Sequence, residues 1–193
     1  MLNISQIPLK STIMLRFWKS VVGGAFLKVL CEIFDGLDIY GLDYSSSLIN
    51  IAKSVIDGTF YCDEANKIDA VFTHKRFDVI LSNSVLNYFP SEKYAFEVIE
   101  KSATLLARGG NLAFLDLNDI TMKEAYKAIR QGDMSDLEYS AKYEGLEHLF
   151  FSKSEIFDLI SSLGFEKIIV ENQRIEGYIN NNCRFNVFAI AKI

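Results

Sequence analysis

Three acidic residues and a pair of glycines set the first chemical expectation. Asp43 closes the run Ile39 to Asp43 and lies 19 residues after Gly24. That is close to the separation of about 20 at which an acid beyond a glycine turn accepts hydrogen bonds from a ribose. A carboxylate suits the task because its two oxygens accept from both ribose hydroxyls; the same residue would equally serve to close a surface strand. Gly23 and Gly24 follow an apolar run and precede a helical pattern, so they can form a turn whose backbone approaches a ligand, although a plain turn explains the pair as well. Asp63 and Glu64 stand just past a third β-like run. There a carboxylate can accept from the exocyclic amine of an adenine, or face solvent as an ordinary loop acid.

The segment FDVILSNSVLNYF passes from an apolar run straight into Asn83, Ser84, Asn87, Tyr88 and Phe89. Simple loop chemistry would favour Gly, Pro and charge instead. Asn87 and Tyr88 are therefore candidates for orienting a substrate, with packing as the alternative. His148, within GLEHLFF, has the chemistry of a general base toward a hydroxyl or amine near neutral pH, while a structural histidine among aromatics is the other reading. Tyr139, Tyr143 and Phe150 either wall a substrate pocket or form core. His74 precedes the fourth strand and is expected on the far side of the sheet. Cys31, Cys62 and Cys183 are widely spaced and odd in number. They give neither a metal-ligand spacing nor a disulfide framework, so three buried or semi-buried reduced thiols are expected and no metal.

The elements that must position these residues alternate along the chain. Ile39 to Asp43, Thr59 to Cys62, Phe77 to Ser82 and Asn111 to Leu117 read as strands; the third is the continuous apolar run of a strand buried on both faces. Ser46 to Ile56 shows a helical stripe behind a serine cap, and a second helix capped by Ser91 carries Tyr94, Val98, Ile99, Ala103 and Leu106 on one face. Arg108-Gly109-Gly110 is expected to stop that helix and turn the chain into the next strand. Strands alternating with helices of this length imply right-handed βαβ units and a doubly wound parallel sheet. Residues 120–150 are polar, aromatic and weakly periodic, broken at Gly132 and Gly145, and read as an insertion folding over the strand ends as a substrate-side lid. A helix over Ser152 to Leu163 follows. Glu166 to Asn172 and Phe185 to Lys192 come without a helix between them, so they should pair antiparallel at a sheet edge.

Taken together, IYGLDYSSSLINIAK, FDVILSNSVLNYF and LLARGGNLAFLDLND resemble class I S-adenosylmethionine-dependent methyltransferases, over about residues 13–193. The resemblance implies an α/β domain with a mostly parallel seven-stranded sheet, an antiparallel C-terminal strand, and helices on both faces. It implies S-adenosylmethionine as cofactor and S-adenosylhomocysteine as product. It places Gly23 and Gly24 in the cofactor loop and Asp43, with Tyr44 beside it, at the ribose. Asp63 or Glu64 falls at the adenine, and Asn83 and Ser84 near the methionine moiety. The first motif departs from the family's acid followed by GxGxG: Val22 and Ser20 occupy glycine positions, or, in a shifted register, Arg16 and Trp18 replace the acid and a glycine. Val does not take a positive φ cheaply. This motivates a second expectation, a catalytically impaired methyltransferase-like domain acting as a binding or assembly module. A nicotinamide-dependent dehydrogenase would require GxGxxG and lack the terminal hairpin.

Composition limits the partners. The chain has 193 residues, half of them hydrophobic, with a formal net charge of −5, which fits one folded domain spanning residues 1–193. No Lys/Arg run suggests nucleic acid, so a small metabolite or sugar-like acceptor is expected, with no nucleic-acid and no membrane partner. The N-terminus lacks a signal-peptide pattern and the cysteines read as reduced thiols, which together give a cytoplasmic expectation. The sequence leaves a homo-oligomer open.

Overall fold

The computed structural model describes the backbone of residues 12–16 and the whole of residues 29–193. Seven strands form one sheet in the order β3-β2-β1-β4-β5-β7-β6. They are β1 (Thr12–Arg16), β2 (Asp38–Asp43), β3 (Thr59–Cys62), β4 (Phe77–Asn83), β5 (Leu106–Asn118), β6 (Lys167–Asn172) and β7 (Arg184–Ile190). β1 to β5 pair in parallel. β7 runs antiparallel to both β5 and β6, so it is wedged inside the sheet and β6 forms the edge. The expected terminal hairpin is present, with its second strand innermost.

Strand alternation sends apolar side chains to both faces. On one face Ile39, Phe60 and Val79 pack against Ile49, Ala52 and Ile56 from helix α2 (Ser46–Val55), with Leu30 and Cys31 from helical residues 29–33 (α1) beside them. On the other, Tyr40, Leu42, Ile80, Phe114 and Phe185 meet α3 (Ile68–Val71), α4 (Glu92–Thr104) and α7 (Lys153–Ser162). Residues that differ by one along β2 or β4 thus belong to different cores, as a pleat of period two requires. Side-chain caps start the helices where serines were expected to: Ser45 accepts from the Leu48 amide at 3.4 Å, Ser91 from Tyr94 at 3.1 Å and Ser152 from Glu155 at 3.4 Å.

Two expectations change. Arg108-Gly109-Gly110 does not stop a helix. α4 ends at Thr104, and these residues belong to β5, where one β4 residue, Asp78, faces the four from Ala107 to Gly110 between the pairs Phe77↔Leu106 and Val79↔Asn111. The bulge needs its glycines: Gly109 has φ +70°, and a Cβ on Gly110 would lie 2.9 Å from the Ala107 carbonyl oxygen. The weakly periodic 120–150 stretch contains two helices, α5 (Lys123–Gln131) and α6 (Asp136–Tyr143). It leaves the sheet at the carboxyl end of β5 and returns through a bridge between Asp119 and Phe151. Met122, Ala125, Tyr126 and Ile129 recur at helical spacing and mark α5, but among charged neighbours and with Tyr126 alone buried the stripe is short, and α6 buries none.

Candidate functional site

Parallel strands end together, so the acids that follow them converge. Asp43 ends β2 and is buried; its Oδ1 accepts from the Ser45 amide at 2.7 Å, which fixes the turn into α2. The Asp63 amide donates to the Asp43 carbonyl at 3.1 Å, holding the end of β3 alongside. Asp63 Oδ1 accepts from the Glu64 amide at 2.8 Å and from Lys67 Nζ at 2.9 Å. The Lys67 hydrogen bond, followed by that amide, lowers its carboxyl below the ordinary value. Glu64 accepts from the Tyr94 hydroxyl, reaching over from α4, at 2.9 Å. Asp43, Tyr44, Asp63 and Glu64 line one side of a cleft of about 210 Å³, with Val85 and Tyr88 on the other. Burial and then the Asp43 and Glu64 charges raise the Tyr44 phenol, which keeps it a donor. The cleft opens at the carboxyl ends of β2, β3 and β4, beside the point where strand order reverses between β1 and β4.

A second cavity, of about 580 Å³, lies within the insertion between α5, α6 and the segment ending at Phe150. Tyr126, Tyr139, Tyr143 and Phe150 line it, so the three aromatics singled out from sequence are brought together. His148 also lines it and marks its boundary with the first cleft: its ring packs edge-on against Tyr88 with centroids 4.5 Å apart. On its other side His148 Nδ1 is hydrogen-bonded to the Tyr126 hydroxyl at 2.7 Å.

Beneath both cavities lies a buried polar cluster that sequence reasoning missed. Between the pairs Phe114↔Val187 and Leu117↔Phe185, two residues of β5 oppose one of β7. This bulge puts Asp116 at φ +60° and turns it toward Ser84, itself at φ +56°. Ser84 Oγ donates to Asp116 Oδ2, as does Tyr178 Oη at 3.3 Å. Arg184 Nε lies 3.7 Å from Asp116 Oδ1, and its Nη1 donates to the Asp116 carbonyl at 3.3 Å. The Arg184 guanidinium also sits 5.1 Å from the centre of the Tyr126 ring, which links the cluster to the insertion. Asp116 within FLDLND, an acid amid an apolar run, is the one signal that pointed here.

The structure redirects several candidates. Asn87 is buried and wholly engaged: Nδ2 donates to the Asp116 carbonyl and Oδ1 accepts from the Asn118 amide, both at 2.8 Å. It ties the turn Leu86–Tyr88 to β5. Asn83 ends β4 exposed and Ser84 is committed to Asp116; neither lines the cavities. Gly23 and Gly24, with Ser20, Val22 and Trp18, lie outside the described residues, as does the Arg16 side chain. His74 is exposed at the amino end of β4, away from the clefts. Cys62 is exposed rather than buried.

Asp119 anchors the start of the insertion. It accepts from Lys153 Nζ at 2.6 Å and from Thr121 N at 2.9 Å. Burial by itself raises its carboxyl, but these hydrogen bonds outweigh burial and leave it below the ordinary value. A depressed folded pKa gives stability that is present above the unfolded carboxyl value of about 3.9 and is lost as pH falls through the folded one. Asp119→Asn should therefore be less stable than wild type from pH 7 down to about 4, with the difference closing below that. Thermal unfolding across pH checks it, and a gap undiminished at pH 2 would refute the assignment.

Comparison with known proteins agrees with this geometry. A family model of the methyltransferase domain matches residues 22–112. Carboxy-S-adenosyl-L-methionine synthase of Campylobacter jejuni is 29% identical over 160 residues, covering 74% of this chain and 65% of that one. An S-adenosylmethionine-dependent methyltransferase from Methanosarcina mazei superposes with a TM-score of 0.65 at 16% identity, over 98% of this chain and 96% of the other. Residues 22–112 carry the methyltransferase-domain pattern, and the likeness is to class I S-adenosylmethionine-dependent methyltransferases. The N-methyltransferase NodS of Bradyrhizobium japonicum, in complex with S-adenosylhomocysteine, shares the fold with a TM-score of 0.60 at 15% identity, over 94% of this chain and 79% of that one. Identities this low show the fold alone. The chain spans 65% or less of the length of these curated relatives. This likeness does not favour the non-catalytic module. Among its described residues no helix is long and apolar enough to cross a membrane, and no group of three or more His, Cys, Asp or Glu could hold a metal ion.

Proposed function

We propose that this protein transfers a methyl group from S-adenosylmethionine to a small-molecule acceptor, a metabolite or sugar-like compound in the cytoplasm. The observation that supports it is the meeting of two cavities at one pair of rings. Tyr88 lines the strand-end cleft, His148 lines the insertion cavity, and their centroids are 4.5 Å apart.

The donor set of the first cleft fits the adenosyl half of the cofactor. Asp43 offers a carboxylate to the ribose hydroxyls, with Tyr44 beside it. Asp63 or Glu64 offers an acceptor to the adenine amine, and Val85 and Tyr88 give the base apolar surface. The assignment of Gly23, Gly24, Asn83 and Ser84 to the methionine half rests on the family resemblance. When bound, the cofactor supplies a methyl group on a sulfonium for in-line displacement. The protein's share of that reaction is proximity, orientation and proton removal. Residues 120–150 serve as the lid that brings the acceptor to the boundary. His148 takes its proton, Tyr88 orients it, and Asn87 holds the Tyr88 turn against β5.

Calorimetry tests the cofactor half. Asp43→Asn keeps the shape and the cap of α2 but removes the charge. It should raise the dissociation constant for S-adenosylhomocysteine by about 10- to 100-fold, or roughly 1–3 kcal/mol. An unchanged constant would show that the ribose binds elsewhere.

A further inference from the structure

The side chains around the insertion cavity specify the charge of its ligand. We infer that the acceptor is an organic acid, a planar apolar body bearing a carboxylate or phosphate, held against the basic face of α5. This rests on the reading above that the second cavity receives the acceptor.

Lys123, Lys127 and Arg130 recur at i, i+4 and i+7, a spacing that puts them on one face of α5, and all three line the cavity. Among the described residues none of them forms an ion pair with a carboxylate. Each lies instead over an aromatic ring: Lys123 is 5.7 Å from the centre of Phe150, Lys127 5.8 Å from Tyr139, and Arg130 3.8 Å from Tyr143. Lys142 approaches Tyr143 too, at 5.3 Å. Arg184 adds a further positive charge behind Tyr126.

This arrangement discriminates between ligand classes. Aromatic walls bind a cation when their faces are open to it, but here the protein's own cations already lie over three of the rings. A neutral ligand would leave these donors to water, since Lys123 and Lys127 are exposed. An acid meets both needs: its body packs on the rings, and its charge takes donors from the lysines and from the edge of the Arg130 guanidinium, the geometry that suits carboxylate and phosphate. Three acids also line the cavity: Glu124 lies on α5, Glu144 follows α6, and Glu147 accepts from the Gly145 amide at 3.3 Å in its own turn, so the basic groups are concentrated on α5 and the acids are spread over three elements. At about 580 Å³ the cavity has the size of a small-molecule site, which typically spans about 300–1,000 Å³.

Four probes of similar size decide the matter by calorimetry: 4-hydroxyphenylacetate, phenyl phosphate, 4-hydroxyphenylacetamide and tyramine. At least one acid should bind about tenfold or more tighter than the amide, with tyramine weakest, and salt should weaken the acid. Which acid is preferred separates carboxylate from phosphate recognition. In Lys127→Gln/Arg130→Gln the preference should vanish while amide affinity stays the same, which also shows that the variant is folded. Equal or tighter binding of the amide or tyramine overturns the inference, as does a preference surviving the double substitution or no binding of any probe at millimolar concentration. S-adenosylhomocysteine titrated in parallel keeps the two readings apart. Acid binding without cofactor binding would sink the methyltransferase reading alone, and cofactor binding without acid preference would sink this inference alone.

Discussion

Asp116→Ala is expected to lower folding stability by about 3–5 kcal/mol, a large share of the roughly 5–15 kcal/mol that holds a domain together. The reason is what it leaves behind. Arg184 is 5% exposed, and its buried Nε already lacks a hydrogen-bond partner. Removing the carboxylate strands that charge and takes an acceptor from Ser84, Tyr178 and Gln173 at once. Urea unfolding should show a lower midpoint with an unchanged slope. Asp116→Leu combined with Arg184→Met should recover only the part of the loss due to the stranded charge, since Ser84, Tyr178 and Gln173 still lack their acceptor and Leu is strained at the φ of +60°. A single-variant loss below about 1 kcal/mol would mean that the guanidinium finds water or another anion.

His148→Ala should cut turnover by about 10²- to 10⁴-fold with the acceptor that supports turnover in wild type, and leave cofactor affinity unchanged. In the tautomer that serves as a base, Nδ1–H donates to the Tyr126 hydroxyl and Nε2 accepts the acceptor's proton. Tyr126→Phe removes that partner and should lower the rate less. Its signature is a displaced pH–rate profile, which a purely structural role would not produce. Burial raises the Tyr126 phenol despite the Arg184 and Arg130 charges, so the hydroxyl stays protonated across the working range. A rate loss in His148→Ala matched by an equal loss of cofactor affinity would point to collapse of the Tyr88 wall rather than to a missing base.

The strand-end acids were legible because their signal is local. A run of apolar residues ending in Asp43, and another ending before Asp63 and Glu64, announces both the strand and its functional end. The polar cluster was not legible, because its members come from four places in the chain and meet only through the β5–β7 register. Ser84 and Asp116 are 32 residues apart and Asp116 and Arg184 are 68. The bulge that turns Asp116 inward depends on one β7 residue facing two on β5, which no single-strand pattern encodes. Asn87 misled for a related reason. A polar side chain past a strand suggests a ligand, yet this amide satisfies neighbouring backbone groups once the turn packs on β5. In the insertion, α5 was legible from Met122, Ala125, Tyr126 and Ile129 at helical spacing, a signal passed over because the stretch is polar overall, whereas α6 buries nothing that would mark it.

The wedged position of β7 bears on how the chain is made. β6 cannot join the sheet until β7 arrives to lie between it and β5, although β7 is translated after both. During vectorial synthesis the finished parallel half therefore waits with one edge of β5 open, while the insertion, α7 and β6 emerge. That edge bears Leu112, Phe114 and Leu117, all buried once folding is complete. An open apolar edge is a template for strand pairing between chains, so nascent-chain aggregation is the hazard of this topology, and chaperone cover is needed over the interval between β5 and β7.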